Sequence, residues 1–174
     1  MRWDRQQRPQ ELRQLFLYDP ITGILQWRER FGKDGWNRRY ANKAIQTLDR
    51  HGYIQVRLKP LNMRAHRVIW AMMTGAWPSE DIDHINGVRN DNHWENLREA
   101  SRSLNNHNRH TPRRSSYPKG VTLHKASGLY RAYVNLEGKQ HSLGYFKTEA
   151  EAVSAYADKA PALLGEFYKE PQYA

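Results

Sequence analysis

The chain has 174 residues, no cysteine, and 28 Lys and Arg against 18 Asp and Glu, which gives a net charge of +10 and a pI of about 9.9. The lack of cysteine excludes disulfides, thiolate nucleophiles and cysteine-held zinc, so a metal site would use oxygen and imidazole ligands, which favours Mg²⁺ or Mn²⁺. The charge predicts a polyanionic partner, and we expect nucleic acid rather than a membrane, because no apolar run reaches the roughly 18 residues of a membrane span and the start has no signal-peptide pattern.

Residues 1–65 form a basic, β-rich N-terminal region with 14 basic and 6 acidic side chains. Apolar spacing at Leu12, Leu15 and Phe16 predicts a short helix over 10–18. The remainder of this region predicts a small antiparallel sheet with strands over 24–27 and 52–59. Turns are predicted at Asp19-Pro20 with Thr22-Gly23 and at Pro60-Leu61-Asn62, and a Gly-, Asn- and Arg-rich loop over 32–44.

The centre of the chain is nearly neutral, with 5 basic and 6 acidic side chains over 66–112. A short apolar helix is predicted over 66–74, ended by Gly75. After it come Asp83-His84, then Asn96 before Leu97, then Asn105, early in a helix that begins near Ser101. A metal-dependent nuclease needs these residue types: a carboxylate and an amide oxygen to hold a hard cation, and an imidazole to take a proton from water.

The order and spacing of this segment resemble the HNH nucleases, whose site is a compact ββα-metal motif. The matching residues are, in chain order, His66-Arg67 with the apolar helix, Asp-His-Ile-Asn-Gly, Asn-Asp-Asn, Glu-Asn-Leu-Arg and Asn-Asn-His-Asn. The segment is most similar to phage and homing endonucleases in which the last motif residue is Asn rather than His.

The resemblance implies a catalytic role for four residues. His84 would be the general base, Asp83 and Asn105 would ligate one divalent cation, and Asn96 would tie the hairpin loop together and orient His84. The cation would be Mg²⁺, with Mn²⁺ as the alternative, and water and phosphate oxygens would complete its octahedral shell. Three neighbours compete with Asn105 as the last ligand: Asn106, His107 and Asn108.

Other polar residues of the segment receive a structural interpretation. Asn86, Asn90 and Asn92 are assigned to shaping the loop, and His66 is assigned to the buried core. Arg67 is a candidate phosphate contact. The alternative to an active site is a polar loop whose asparagines satisfy turns.

The C-terminal part begins after a basic, proline-bearing segment over 109–118, which predicts a linker along phosphates with Arg113 and Arg114 as DNA contacts. Three strands are predicted over 120–124, 129–136 and 139–144, with a hairpin turn at Glu137-Gly138. A helix opens with a capping box at Thr148 and Glu151, and Pro161 is expected to kink or end it.

Residues 119–168 resemble the plant ethylene-response type of DNA-binding domain, which is APETALA-like. The resemblance rests on Lys119-Gly120-Val121, Tyr130-Arg131-Ala132, Leu143-Gly144-Tyr145-Phe146, Thr148 with 150–157, and Leu164-Gly165-Glu166-Phe167. It implies a three-stranded sheet in the major groove, with these DNA contacts: His124, Lys125, Arg131, Tyr133, Asn135, Lys139 and Gln140. The plant domains have several Arg and Trp on this face, so low base specificity is expected; the alternative is a packing module with no DNA role.

Together the patterns predict an α+β chain of four parts: the basic β-rich region over 1–65, a ββα-metal HNH motif over 66–108, the basic linker over 109–118, and a C-terminal three-stranded antiparallel sheet plus helix over 119–174. The predicted function is an HNH endonuclease on double-stranded DNA, a site-preferring nickase of phage or homing type, monomeric, in the cytoplasm of a bacterial host. The alternatives are a dimer that cuts both strands, a DNA-binding regulator without chemistry, and an RNA-binding or structural phage protein.

Overall fold

The computed structural model describes residues 9–58, 61–107 and 116–171. The chain divides into two compact units, Met1–Glu99 and Ala100–Ala174. Within the described residues, helices alternate with two-stranded sheets in the N-terminal part, and a three-stranded sheet lies in the C-terminal part. The expected α+β class is confirmed.

The N-terminal unit starts with a short helix that leads directly into a hairpin. Helix α1 spans Pro9–Leu15, and strands β1 (Phe16–Tyr18) and β2 (Leu25–Trp27) pair antiparallel. The predicted helix over 10–18 is therefore wrong after Leu15. Helical spacing of apolar residues continues through Phe16, but backbone pairing of Phe16 with Trp27 determines the structure there.

The next segment corrects two further expectations. Helix α2 spans Asp34–Tyr40, inside the predicted loop, and none of its residues is buried, so the sequence has no apolar stripe to indicate a helix. Strands β3 (Gln55–Leu58) and β4 (Leu61–Arg64) form a second hairpin. The turn expected at Pro60-Leu61-Asn62 is wrong for Leu61 and Asn62, since both pair with β3; residues 59–60 lie outside the described residues.

Helix α3 (Ala65–Thr74) is the centre of the N-terminal core, and Gly75 ends it in the left-handed conformation at φ 78°, as predicted. Strands β5 (Asp81–His84) and β6 (Leu97–Ala100) pair with each other after it. One apolar cluster joins α1, the hairpins, α3 and this strand pair through Leu12, Phe16, Leu25, Val56, Val68, Ile69, Ile82 and Leu97. The packing of these residues fixes the strand pair on which the predicted site lies.

The C-terminal unit is a sheet with one long helix on it. After helix α4 (Arg102–His107) come strands β7 (Val121–His124), β8 (Leu129–Leu136) and β9 (Lys139–Phe146), in the order β7-β8-β9, all antiparallel. The predicted turn at Glu137-Gly138 is confirmed, and both residues have positive φ, 50° and 73°, as in a type I′ hairpin.

Helix α5 (Glu149–Leu164) covers the inner face of this sheet, and its predicted capping box at Thr148 and Glu151 is confirmed. Pro161 does not end the helix, which continues to Leu164. Burial of Ala160 and Leu164 favours the continued helix despite the hydrogen bond that the proline removes. Glycine is required at position 120, directly before β7 and beside α5, because a Cβ there would lie 2.0 Å from the ring of Tyr156.

None of the helices within the described ranges has the length and apolar character needed to cross a membrane.

Candidate active site

Two consecutive polar residues, Asp83 and His84, lie buried at the end of β5, with exposed fractions of 5 % and 4 %. The chain turns immediately after them, where the Gly87 N–H donates to the His84 carbonyl over 2.8 Å. A loop and a 3-10 turn over Trp94–Asn96 lead back into β6. Burial of a polar side chain is costly unless it is hydrogen-bonded, and the structure supplies a different partner to each of the two residues.

Arg98, on β6, holds the carboxylate of Asp83. Its Nε and Nη2 atoms donate to Oδ2 of Asp83 at 3.0 and 2.9 Å. Both side chains are nearly inaccessible, at 9 % for Arg98 and 5 % for Asp83. Because a buried ion pair is stable only with good geometry and hydrogen bonding, this pair holds the carboxylate in one orientation beside His84.

Asn92 bonds to the ring of His84, with Nε2 and Oδ1 3.1 Å apart. Asn92 is itself buried. An amide oxygen only accepts hydrogen bonds, so Nε2 carries the proton and Nδ1 carries the lone pair. Burial lowers the pKa of His84 below its ordinary value, while the Asn92 bond and the charge of Asp83 act in the opposite direction. The imidazole is therefore neutral at neutral pH and able to accept a proton.

Asn96 ties together the loop between the two strands. Its Oδ1 accepts from the Asn86 N–H over 2.9 Å, and its Nδ2 donates to Asn86 Oδ1 and to the Asp91 carbonyl at 3.1 and 2.7 Å. These bonds tie the end of the 3-10 turn to two points earlier in the loop. Asn92, for which the sequence predicts only a role in shaping the loop, bonds to the His84 ring.

The N-terminal hairpin holds Asn92 in place. The Tyr18 hydroxyl donates to the Asn92 carbonyl over 2.8 Å, and the Trp94 N–H donates to the Pro20 carbonyl over 3.0 Å. Gly23 has φ 69°, and a Cβ there would lie 2.7 Å from the carbonyl carbon of Asn92. Only glycine allows so close an approach in this conformation, so Tyr18, Pro20 and Gly23 determine where Asn92 lies.

A second buried histidine, His66 of α3, packs edge-on against His84, with ring centroids 5.1 Å apart. Tyr53 completes the cluster at 5.1 Å from His66 and 5.8 Å from His84. Burial, with smaller contributions from His84 and Arg64, lowers the pKa of His66 to about 3. His66 is thus an uncharged packing partner of His84.

Arg67, the predicted phosphate contact on α3, is hydrogen-bonded within the N-terminal unit. Its Nη1 donates to the Glu80 carbonyl over 2.9 Å, and its Nη2 donates to the Pro78 carbonyl over 3.1 Å. These bonds fix the segment that enters β5. DNA contact by Arg67 stays a prediction.

Asn105 and its neighbour His107 lie on α4, in the C-terminal unit. Nε2 of His107 bonds to the carbonyl of Asn135 in the same unit, and burial lowers the pKa of His107. His107 is therefore engaged in packing α4 on its sheet. Asn108, Arg113 and Arg114 lie outside the described residues, and the role of Asn105 as a ligand stays a prediction.

Most of the predicted DNA contacts lie along the outer face of the C-terminal sheet, whereas Lys125 follows β7 and Lys139 pairs with Leu136 at the start of β9. Strand register places Arg131 between Thr122 and Tyr145, and Asn135 opposite Gln140. The Arg131 guanidinium lies 5.7 Å from the ring centroid of Tyr145. The exposed members of the predicted set are His124, Lys125, Asn135, Lys139 and Gln140, whereas Arg131 and Tyr133 are half-buried.

A hard divalent cation would find few side-chain ligands in this region. Within residues 9–58, 61–107 and 116–171, no three His, Cys, Asp or Glu side chains cluster as a metal site. Asp83 supplies a carboxylate, which Arg98 also contacts at Oδ2. Mg²⁺ often binds proteins through one or two carboxylates and takes its other ligands from water and substrate phosphates. The donor set therefore fits Mg²⁺ or Mn²⁺ in such a site.

Two residues of the site, Asn92 and Arg98, were missed in the sequence. Arg98 lies on a short strand directly after the Asn96-Leu97 pair, and this closeness to a motif residue is its sequence signal. Asn92 lies in a loop with three other asparagine or aspartate residues over 86–92, so its sequence does not distinguish it.

Comparison with known families matches residues 63–107 to the family described as HNH endonuclease. The match covers α3, both strands of the site and α4. It ends before the C-terminal sheet, so the resemblance to ethylene-response domains is not supported by it. No curated protein and no solved structure matches the chain. Residues 63–107 are thus similar to the HNH endonuclease family, which suggests a nuclease that acts on DNA.

Proposed function

We propose that the chain is a divalent-metal-dependent endonuclease that hydrolyses phosphodiester bonds in double-stranded DNA and cuts one strand at a time. The observation that supports it most is the buried imidazole of His84, whose proton is held on Nε2 by Asn92. Its neighbour Asp83 is fixed by Arg98. A base of defined tautomer beside a fixed carboxylate is an arrangement suited to hydrolysis.

His84 acts as the general base in this proposal. Nδ1 takes a proton from the attacking water, since Nε2 already donates to Asn92. The low pKa that burial gives His84 keeps the ring unprotonated before the reaction. The imidazolium formed in the step lies next to the carboxylate of Asp83, which stabilises the new positive charge.

Asp83 and Asn105 would hold the cation, for which Mg²⁺ is preferred and Mn²⁺ is the alternative. When bound, the cation stabilises charge on the scissile phosphate and on the leaving oxygen. Asn105 is preferred to His107 as the second ligand because both ring nitrogens of His107 are inaccessible: Nε2 bonds to the Asn135 carbonyl, and Nδ1 is buried. The expected products are a 5′-phosphate and a 3′-hydroxyl.

DNA contacts outside the site would come from both ends of the chain. The basic N-terminal region, Arg67 and the segment with Arg113 and Arg114 would bind phosphates. The outer face of the C-terminal sheet would position the duplex through Arg131 and its exposed neighbours. One active site in a monomer cuts one strand. The proposed enzyme is therefore a site-preferring nickase of phage or homing type, which works in the cytoplasm of a bacterial host.

The test is conversion of supercoiled plasmid to open circle, with Mg²⁺ and with EDTA, for the native chain and His84→Ala. His51→Ala is the control, because it removes an exposed imidazole from the same unit. We expect Mg²⁺-dependent nicking by the native chain and by His51→Ala, and none by His84→Ala. Far-UV circular dichroism of each variant verifies folding.

The other outcomes point to specific alternatives. Linear product formed in step with open circle indicates a dimer that cuts both strands. Binding that weakens with salt but no cleavage of several plasmids would refute the catalytic proposal and favour a DNA-binding regulator. Preference for RNA over DNA at fixed salt would indicate an RNA-binding protein.

A further inference from the structure

The most exposed apolar side chain of the described residues is Phe31, which has a relative exposure of 106 %. It lies in the segment between β2 and α2, followed by Gly32 at φ 65°. A single exposed apolar residue is common on protein surfaces. Phe31 is different because the segment that holds it is both constrained and strongly basic.

The turn that carries Phe31 is fixed by the side chain of Asn37. Oδ1 of Asn37 accepts from the Arg30 N–H over 2.9 Å, and its Nδ2 donates to the Arg30 carbonyl over 2.8 Å. The same carbonyl accepts from the Lys33 N–H over 3.2 Å, which closes a β-turn with Phe31 and Gly32 at its centre. The backbone on both sides of Phe31 is therefore held before any partner binds.

The side chain of Arg30 packs beside the turn, against two tryptophan rings. Its guanidinium carbon lies 4.0 Å from the ring centroid of Trp36 and 5.0 Å from that of Trp27. Burial lowers the pKa of Arg30. Arg30 is thus used to pack the base of the turn against two tryptophans, while the next side chain, Phe31, points away from this packing into solvent.

The surroundings of the turn are cationic. The segment over 28–43 contains six basic and two acidic side chains. Five of the basic side chains are exposed: Arg28, Lys33, Arg38, Arg39 and Lys43. Duplex DNA is a polyanion, and its stacked bases separate into an apolar gap when a protein side chain is inserted between them. An exposed phenylalanine on a fixed turn with cationic surroundings is complementary to such a site.

We propose that Phe31 inserts between adjacent base pairs of double-stranded DNA, while the exposed Arg and Lys of residues 28–43 bind the phosphates around it. The inference rests on the proposed function in that DNA is the partner. Inserted side chains of this kind kink the duplex, so the insertion would bend DNA as well as anchor the N-terminal region. The turn is rigid, so little conformational entropy is lost when the ring inserts.

The test uses the full chain, in EDTA, with a duplex of about 30 base pairs that carries 2-aminopurine at several positions and dyes at its ends. The variants are Phe31→Ala, Phe31→Trp and the control Ile21→Ala, which removes another highly exposed apolar side chain from a turn in the same unit. Affinity, 2-aminopurine fluorescence and end-to-end energy transfer are measured at several stated salt concentrations.

We expect the native chain, Phe31→Trp and Ile21→Ala to raise 2-aminopurine fluorescence and shorten the end-to-end distance. Phe31→Ala should do neither, and should bind about tenfold more weakly, within the range of stacking contributions. The salt dependence of binding should stay the same for Phe31→Ala, because no phosphate contact is lost. It should fall by about two counterions for Arg38→Ala combined with Arg39→Ala.

The two proposals fail in different ways. If Phe31→Ala unstacks and bends DNA like the native chain, the insertion is refuted while plasmid nicking is unaffected. If the native chain neither binds nor cuts DNA, both proposals are refuted. Since Phe31 is fully exposed, its replacement by alanine should not unfold the chain, and an unchanged thermal unfolding curve verifies this.

Discussion

Replacement of Arg98 by methionine should strongly destabilise the N-terminal unit. Methionine keeps an unbranched, flexible side chain but removes the guanidinium that donates twice to Asp83. The carboxylate then stays buried without its cationic partner, and the loss of one partner of a buried ion pair costs about 3–5 kcal/mol. Since whole domains are stable by about 5–15 kcal/mol, this is a large share of the total.

The control is Arg64→Met, which removes a second arginine–aspartate pair among the described residues of this unit. Arg64 Nε lies 3.2 Å from Asp49, but its side chain is 41 % exposed. A pair so exposed is screened by solvent, so the expected cost is about 1 kcal/mol or less. Both variants remove a guanidinium from a pair of similar length, and Arg64→Met also removes a contact with the Tyr53 ring at 4.1 Å. A larger cost for Arg98→Met would therefore report the burial of its pair.

Urea unfolding followed by tryptophan fluorescence is a suitable assay. All six tryptophans, at positions 3, 27, 36, 70, 77 and 94, precede residue 100, so the signal reports the N-terminal unit. Addition of Asp83→Asn to Arg98→Met should recover much of the lost stability, because no buried charge remains. Equal costs for Arg98→Met and Arg64→Met would refute this reasoning.

Two further predictions concern His66 and Asn92. His66 has a pKa of about 3 in the folded state against an ordinary 6.5. Its contribution to the free energy of unfolding is therefore fully present above pH 6.5 and is lost at lower pH, where the unfolded state takes up a proton. From pH 7 to pH 5 this amounts to about 2 kcal/mol, and urea titrations of His66→Asn should lack it; an unchanged pH slope would count against it. Asn92→Ala should slow plasmid nicking about 10–100-fold, as loss of a histidine-orienting partner does, whereas Asn92→Asp keeps an acceptor and most of the rate. Gly23→Ala should also slow nicking, because its methyl group would collide with the backbone of Asn92; native rates in both alanine variants would contradict the orienting role.

Much of the fold could be predicted because local signals were strong. The capping box of α5, the Glu137-Gly138 turn and the Gly75 helix end are each determined by a few adjacent residues. The errors fall where tertiary contacts decide. The strand over Phe16–Tyr18 exists because β2 pairs with it, and α2 has no buried face for the sequence to indicate.

For the candidate site, the sequence indicated the reactive residues but not the residues that hold them. Asp83 and His84 are adjacent in sequence, and their residue types indicate their chemistry directly. The partners that hold them are Arg98 and Asn92, 15 and 8 residues away, and only the folded hairpin brings them together. A loop rich in asparagine gives no sequence criterion for which amide faces inward, so the role of Asn92 required the structure.

The N-terminal hairpin, β1 and β2 with the turn between them, is a structural part of the candidate site. The orientation of His84 depends on Asn92, and the backbone of Asn92 depends on the Tyr18 hydroxyl and on the close approach of Gly23. These contacts join residues about 70 positions apart, all of them in one compact unit. Residues 63–107 match the HNH family by themselves, but they lack the groups that fix the partner of the proposed base. Because the ring tautomer follows from that partner, the proposed chemistry depends on a hairpin that the family match does not contain.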